Sequence, residues 1–188
     1  MMADTGRQSL EPEKNPLLRL SGAIAWFEAR FAGGVIAAIL LLLLANVVSR
    51  SMGRPLIWTD ELAVYLMAIG AFTGASLGVA RRQHIAVTLV ADMLDHNARR
   101  LLTYVVDTTL LLLFACFAWM LWTWFDPIGV LSAESLKAYS RTTFNFLYRE
   151  PTTTLGVRKV WFWLILPVFC LSGFIHVLAR FGAVPEKH

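Results

Sequence analysis

Four long stretches of this sequence contain no Asp, Glu, Lys or Arg, and they constrain the fold more than any other feature. They comprise 18 to 20 residues each, at 31–49, 62–80, 108–125 and 160–179. A helix of this length covers about 27 to 30 Å, which is the thickness of the hydrocarbon core of a bilayer. The pattern predicts an all-α integral membrane protein with four transmembrane helices, of which the third begins near residue 104.

The composition agrees with a membrane protein. Hydrophobic residues make up 57% of the chain and charged residues 16%, whereas soluble domains carry about 25% charged residues. So few polar side chains cannot cover the surface of a soluble domain of this size. The net charge of +4 comes from Lys and Arg scattered between the apolar stretches. Because they form no basic face with interleaved aromatic residues, we expect no nucleic acid partner.

The same pattern sets the expected domain organisation. We expect a polar amino-terminal tail at 1–16, a single four-helix membrane domain at 17–182, and a carboxyl-terminal tail at 183–188. Several acidic residues precede the first apolar stretch, which is a poor start for a cleaved signal peptide. The first helix is therefore expected to remain in the mature protein.

The distribution of cationic residues predicts the orientation in the membrane. The two tails and the second loop together hold ten Lys and Arg residues, whereas the first and third loops hold seven. Since cytoplasmic segments carry the excess of positive charge, both termini are predicted to be cytoplasmic. Tryptophan gives a second asymmetry, because six of the seven lie near the helix ends on the opposite side: Trp58, Trp119, Trp122, Trp124, Trp161 and Trp163.

Short amphipathic helices are predicted at the membrane surface in three places. One precedes the first span and carries Arg19 and Arg30 on its polar face. Another fills the second loop. The third follows the turn residues Pro127 and Gly129, with Ser132 as its N-cap. The apolar positions that indicate these helices are Leu17, Leu20, Ile24, Phe27 and Phe31, then Ile85, Leu89 and Met93, then Leu136, Tyr139 and Leu147.

The chain offers little for redox chemistry or metal binding. A bis-histidine haem needs two imidazoles facing each other inside the bundle, but only His176 lies within a span. Cys116 and Cys170 lie in apolar stretches, which is typical of small core residues and supplies no paired thiol. We therefore expect no cofactor, no metal ion and no catalytic residue.

Asp107 is the first ionisable residue to consider, because it lies inside the third predicted span. It lies a turn or two beyond Arg99 and Arg100. It could pair with an arginine near the membrane surface, or it could face a neighbouring subunit. A transport pathway needs several converging polar groups, and the spans indicate no such cluster at mid-membrane. Pro167 removes a backbone hydrogen bond in the fourth span and predicts a bend there.

A polar cluster marks the start of the second span. Thr59 or Asp60 could cap the helix, the acids suit the positive end of its dipole, and Trp58 suits the headgroup region. Alternatively, Asp60 and Glu61 contact a partner subunit, which is the interpretation that we favour for Glu61. At the other end of this helix, three cationic or titratable residues suit inner-leaflet phosphates or a partner subunit: Arg81, Arg82 and His84.

Three glycines give the second span a stripe of small residues. Gly70, Gly74 and Gly78 recur at every fourth position. Such a stripe allows another helix to approach closely. The spacing leaves open whether that helix belongs to this chain or to another protein.

Taken together, these motifs resemble the small membrane subunit of tripartite ATP-independent periplasmic (TRAP) transporters. The departures are Asp60, where a second glutamate is usual in that family, Thr88, where an aspartate often occurs, and Arg158, where proline is common. The residues that carry the resemblance are Arg50, Gly53, Trp58-Thr59-Asp60-Glu61-Leu62, Phe72-Thr73-Gly74-Ala75, Arg81, His84-Ile85 and Val87, followed by Leu155-Gly156-Val157 and Leu166-Pro167.

The resemblance implies a scaffold subunit, not an enzyme, in the inner membrane of a bacterial cell. In that family a large permease subunit carries an organic acid with sodium ions, and a periplasmic binding protein delivers the acid. The small subunit braces the large one within the lipid and does not itself bind substrate. Two alternatives from other classes are a self-sufficient small exporter and a membrane-anchored redox subunit.

Overall fold

The computed structural model describes residues 16–81 and 94–181, and within these ranges the chain is mainly helical with no strand. Four helical segments there are long and apolar enough to cross a membrane, as the sequence predicts. Arg82, His84 and the helix predicted in the second loop lie outside the described residues. The helices are α1 (Pro16–Ser51), α2 (Ile57–Arg81), α3 (His96–Phe125), α4 (Pro127–Ser132), α5 (Leu136–Thr143), α6 (Val160–Trp163) and α7 (Ile165–Phe181).

The first helix is longer than its charge-free stretch. α1 has 36 residues, and it includes the segment predicted as a separate entry helix. No proline follows Pro16 within it, so nothing in the backbone forces a break before the span. The helix ends in a Schellman motif. There Gly53 has a φ of +71°, and its N–H donates to the carbonyl of Arg50, while the N–H of Arg54 donates to that of Ser49.

Two short helices follow α3 in the third loop. Asp126 ends α3 in the left-handed conformation, and its carboxylate accepts the N–H of Gly129 at 3.0 Å, which caps α4. Ser135 caps the amphipathic helix α5 by accepting the N–H three residues further on. The prediction that Ser132 is the cap was wrong, since Ser132 is the last residue of α4. Ser135 stands directly before the helix that needs the acceptor.

The fourth span is interrupted where the sequence predicts a bend. Leu164 separates α6 from α7. Pro167 has no N–H to donate four residues back, to Trp163, and its ring crowds that carbonyl. The interruption therefore lies within one turn before the proline.

α7 packs against α1, α2 and α3, and α1 also packs along α2. The apolar core lies around α7, where Phe169 contacts the rings of Phe72, Phe114 and Phe117 at centroid distances of 5.3, 5.4 and 6.0 Å. A Cβ atom at Gly173 would lie 2.2 Å from Cζ of Phe114, which is a severe clash. Glycine at this position therefore allows α3 and α7 to approach closely.

Much of the apolar surface of the bundle remains exposed, as expected for helices that face lipid. In α1 only Glu28, Val35 and Asn46 are buried. These residues are spaced by seven and eleven positions, so they share the face that contacts the other helices. Cys116 is also exposed, which corrects the expectation that it is a core residue. Cys170 is buried as expected.

Candidate functional site

A buried polar cluster joins three helices at the end of the bundle where α1 begins and α2 and α7 end, here called the termini end. Ser76 Oγ of α2 donates to Glu28 Oε1 of α1 at 2.7 Å and lies 2.8 Å from Ser172 Oγ of α7. His176 Nε2 lies 3.3 Å from Glu28 Oε2, and its Nδ1 lies 2.7 Å from Ser21 Oγ. The hydroxyl of Ser76 has a single proton, so donation to Glu28 leaves its oxygen as an acceptor for Ser172, whose hydroxyl also lies 3.2 Å from the carbonyl oxygen of Phe169.

The sequence predicted no polar cluster at mid-membrane, and it gave no expectation for this one near the end of the bundle. Glu28 precedes the first charge-free stretch, but it is only 8% exposed. A signal was present in the sequence, since a glutamate and a histidine in apolar helices both need a polar partner. What periodicity could not show is that α1 and α7 bring Glu28 and His176 to the same level.

A groove of about 320 Å³ runs beside this cluster between α1, α2 and α7. Glu28, Thr73, Ser76 and Ser172 line it, but the rest of its lining is apolar. Each of these four side chains already has a hydrogen-bond partner within the chain. The polar groups of the cluster therefore hydrogen-bond to one another and hold the helices together.

A second buried contact joins α3 to α7 at the same end. Arg180 Nη1 donates to Asp107 Oδ1 at 2.8 Å, and both side chains are 8% exposed. Asp107 therefore pairs with an arginine, as in the first of its two interpretations, but the arginine comes from the last turn of α7. Arg180 Nε and Nη2 are buried and have no hydrogen-bond partner among the described residues.

At the opposite end, here called the loop end, Asp60 connects the first two helices. Its Oδ2 accepts from Arg50 Nη2 at 2.7 Å, and its Oδ1 accepts from the amide of Asn46. Arg50 Nε also donates to the Asn46 side chain. α2 begins at Ile57, so Asp60 lies inside the first turn and does not cap the helix. Its charge suits the positive end of the helix dipole.

Glu61 anchors the third loop. Its carboxylate accepts the backbone N–H groups of Thr153, Thr154 and Leu155 at 2.8, 2.6 and 3.3 Å. The Thr154 hydroxyl also donates to it at 2.6 Å. Gly156 at a φ of +71° allows the tight reversal that turns these amides toward α2. Glu61 thus has a specific partner within the chain, about ninety residues away, which neither sequence interpretation included.

The third loop is tied to the end of α3 as well. Tyr139 donates to Asp126 Oδ2 at 3.0 Å, and Tyr148 donates to the carbonyl of Phe125 at 2.6 Å. The Asn145 amide donates to the carbonyl of Trp124. Burial, together with the hydrogen bond to Asp126, raises the pKa of Tyr139. The third loop is therefore an ordered structure that hydrogen bonds hold against the end of α3.

Of the remaining residues predicted to contact a subunit or lipid, some pack against another helix of this chain and others are exposed. A Cβ at Gly70 would meet Val35 of α1 at 3.4 Å, whereas Gly74 and Gly78 have open space. Trp58 is 40% exposed near the start of α2, and Arg81 is exposed at its end. Among the described residues, the small-residue stripe thus has a close neighbour within the chain at Gly70 and none at Gly74 or Gly78.

The fold and these contacts define a small, all-α, multi-pass membrane protein. The family model for tripartite ATP-independent periplasmic transporters, DctQ component, matches residues 39–184. The chain belongs to this family, which is a transporter component and not an enzyme family. It is also 25% identical over 146 residues to the sialic acid TRAP transporter permease protein SiaT of Haemophilus influenzae (strain 86-028NP). That match covers 77% of this chain and 20% of SiaT, so the chain spans about one fifth of this relative's length.

The buried ion pair yields the first prediction. Asp107→Asn or Arg180→Gln should each lower the free energy of unfolding by about 3 to 5 kcal/mol, because each leaves a buried charge without its partner. The double variant should lose less than the sum of the two. The unfolding of the full chain in mixed micelles is measured by circular dichroism.

The control is Arg50→Gln. Arg50 and Asp60 form an ion pair whose side chains are 60% and 50% exposed, so its loss should cost no more than about 1 kcal/mol. Equal losses for Arg50→Gln and Arg180→Gln, or additive losses in the double variant, would show that the buried pair contributes no coupling.

Glu61 yields the second prediction. In Glu61→Gln the carboxylate becomes a neutral amide whose NH₂ group cannot accept a backbone N–H. Hydrogen exchange at Thr153, Thr154 and Leu155 should then accelerate about tenfold, since hydrogen bonds to a charged group are worth about 1.5 to 3 kcal/mol. Exchange measured by mass spectrometry on the loop peptide tests this. Glu134→Gln, an exposed position of the same loop, is the matched control. Unchanged protection in Glu61→Gln would contradict the anchoring role.

Proposed function

We propose that this chain is the scaffold subunit of a TRAP-type secondary transporter. It braces a large permease subunit that imports an organic acid with sodium ions, and a periplasmic binding protein delivers the acid. Family membership supports the transporter class. The observation that carries the scaffold role is that the buried carboxylates at the termini end, Glu28 and Asp107, each pair with a residue of this chain, whereas long apolar helix faces are left open.

The buried polar groups argue against a substrate pathway through this chain. Glu28 and Asp107 each have a partner on another helix. A substrate site in a transporter instead needs polar groups that face a water-filled cavity. Since Glu28, Asp107, Ser76 and His176 hold helices to one another, a static role beside a moving subunit is the function that fits them best.

The open half of the small-residue stripe is the face that we assign to the large subunit. Gly74 and Gly78 have no neighbour within 4 Å of a Cβ position, and Ala71 and Ala75 beside Gly74 are exposed. Small residues permit close helix contact in lipid, where no hydrophobic driving force acts between helices. Trp58 and Arg81 are exposed at the two ends of α2, and we assign them to headgroup or subunit contacts. We assign Arg82 and His84 to the same contacts from the sequence alone.

We further propose that the protein lies in the bacterial inner membrane with both termini in the cytoplasm. In a variant lacking Cys116 and Cys170, a cysteine at Lys137 should react with an impermeant thiol reagent in cells with a permeabilised outer membrane. Cysteines at Lys14 and Lys187 should react only after lysis. The reverse pattern would place the third loop in the cytoplasm, against the orientation that the ten-to-seven distribution of Lys and Arg predicts.

The scaffold role predicts dependence on a partner. The isolated chain in liposomes should show no sodium-driven uptake of an organic acid, and from native membranes it should copurify with a larger membrane protein. Gly74→Leu should reduce copurification at least about tenfold, because a bulky side chain prevents close helix approach. Gly34→Leu on α1, another glycine with open space around it, is the control and should have no effect.

Abundance in the membrane is measured beside copurification, so that a failure to insert is recognised. Uptake by the chain alone would overturn the scaffold role and favour the self-sufficient exporter. Loss of the complex in Gly34→Leu, but not in Gly74→Leu, would instead assign the contact surface to α1.

A further inference from the structure

An open cavity of about 720 Å³ lies between the last turns of α3 and the third loop. Trp119, Met120 and Thr123 of α3 line one side of it, and Glu150 and Lys159 at the end of the third loop line the side here called the loop side. Trp119 lies six residues before the end of α3, which is about 9 Å along the helix axis. Lys159 directly precedes the fourth span. The lining therefore changes from apolar residues within the spans to charged residues at their ends. In a bilayer, this is where the acyl chains end and the headgroups begin.

The loop side of the cavity carries one charge of each sign, held together as an ion pair. Lys159 Nζ lies 2.5 Å from Glu150 Oε1, and the Lys159 N–H donates to the Glu150 carbonyl at 2.9 Å. The bridge between Pro151 and Arg158 closes the same reversal. The hydrogen bond to Glu150 raises the pKa of Lys159, so the ammonium keeps its charge. The Glu150 side chain remains 54% exposed.

Aromatic side chains surround these charges. Trp124 and Trp163 line the cavity in an edge contact, with their ring centroids 6.0 Å apart. Phe144 adopts a φ of +57°, a costly conformation for a bulky residue, and 80% of it is exposed. Phe146 beside it is 50% exposed. The backbone thus holds two apolar rings outward at the level of the tryptophan belt, where such rings enter the headgroup region.

We propose that this cavity binds one phosphatidylethanolamine molecule from the adjacent leaflet. Lys159 holds the phosphate. The exposed oxygen of Glu150 accepts hydrogen bonds from the lipid ammonium, and the tryptophan faces stabilise the cation. Trp119 and Met120 contact the glycerol and upper acyl region. An anionic lipid without an amine would offer no donor to the exposed oxygen of Glu150, and a choline headgroup has no N–H to donate, so both bind less tightly.

Native mass spectrometry of the delipidated full chain tests the selectivity. We expect one phosphatidylethanolamine to bind about tenfold more tightly than phosphatidylglycerol or phosphatidylcholine, because a charge-assisted hydrogen bond is worth about 1.5 kcal/mol or more. Glu150→Gln should lose the preference for ethanolamine without weakening the binding of phosphatidylglycerol. Lys159→Gln should weaken both lipids about fivefold or more, and Lys159→Arg should restore binding.

Arg158→Gln provides the matched control, because it removes the same charge one residue away at an exposed position that does not line the cavity. The variants are compared only if their helical content and thermal unfolding match those of the parent. Equal binding of the three lipids, or equal effects of Lys159→Gln and Arg158→Gln, would overturn the proposal.

A photoreactive residue at Thr123 tests the occupant in native membranes. Thr123 is exposed and lines the cavity, so a bound lipid lies within reach of a crosslinker there. We expect a crosslink of phospholipid mass that Lys159→Gln reduces. A crosslink to a protein instead would show that a subunit covers the cavity, and would also overturn the proposal.

Discussion

The position of α1 depends on the carboxylate of Glu28. In lipid no hydrophobic driving force holds one apolar helix against another, so polar contacts and close packing decide which faces meet. α1 buries only three residues, and two of them, Glu28 and Asn46, are polar. Glu28 bonds to Ser76 of α2 and lies beside His176 of α7. These contacts connect three helices, and a slip of one residue along α1 would separate them.

The same physical rule operates at both ends of the bundle. At the termini end, Asp107 and Arg180 join α3 to α7, the helix that contacts the other three. At the loop end, Asp60 connects α1 to α2, and Glu61 connects α2 to the third loop. Each pair links segments that lipid alone would leave free to slide. A bundle held at both ends in this way suits a static brace better than a moving carrier.

The third loop extends this rigidity to the membrane surface. Its hydrogen bonds to Glu61 and to the end of α3 hold the loop in place, and the rings of Phe144 and Phe146 are exposed. In the proposed scaffold role, the chain has to keep a fixed depth in the lipid while the large subunit moves. The loop, the tryptophan belt and the proposed lipid site would all serve this anchoring, because aromatic and charged side chains favour the interface.

The sequence by itself determined the class of fold, the four spans, the break before Pro167 and the family. All of these depend on local composition, helix length or short motifs, which need no knowledge of the neighbouring helix. The same local reasoning misplaced the cap of α5, because Ser132 and Ser135 both suit that position by residue type. It also separated the entry helix from α1, because charge marks where lipid begins and not where a helix begins.

Only the tertiary structure decided how the polar residues are paired. Glu28 and His176 are 148 residues apart, and Glu61 and Thr153 are 92 apart. Helical periodicity specifies which face of one helix a residue occupies, but not the height or rotation of that helix against another. Those two quantities follow from the close approach at Gly70 and Gly173 and from the requirement that buried charges find partners. The carboxylate of Glu61, which the sequence placed at the positive end of a helix dipole or at a subunit contact, therefore also binds the backbone of a distant loop.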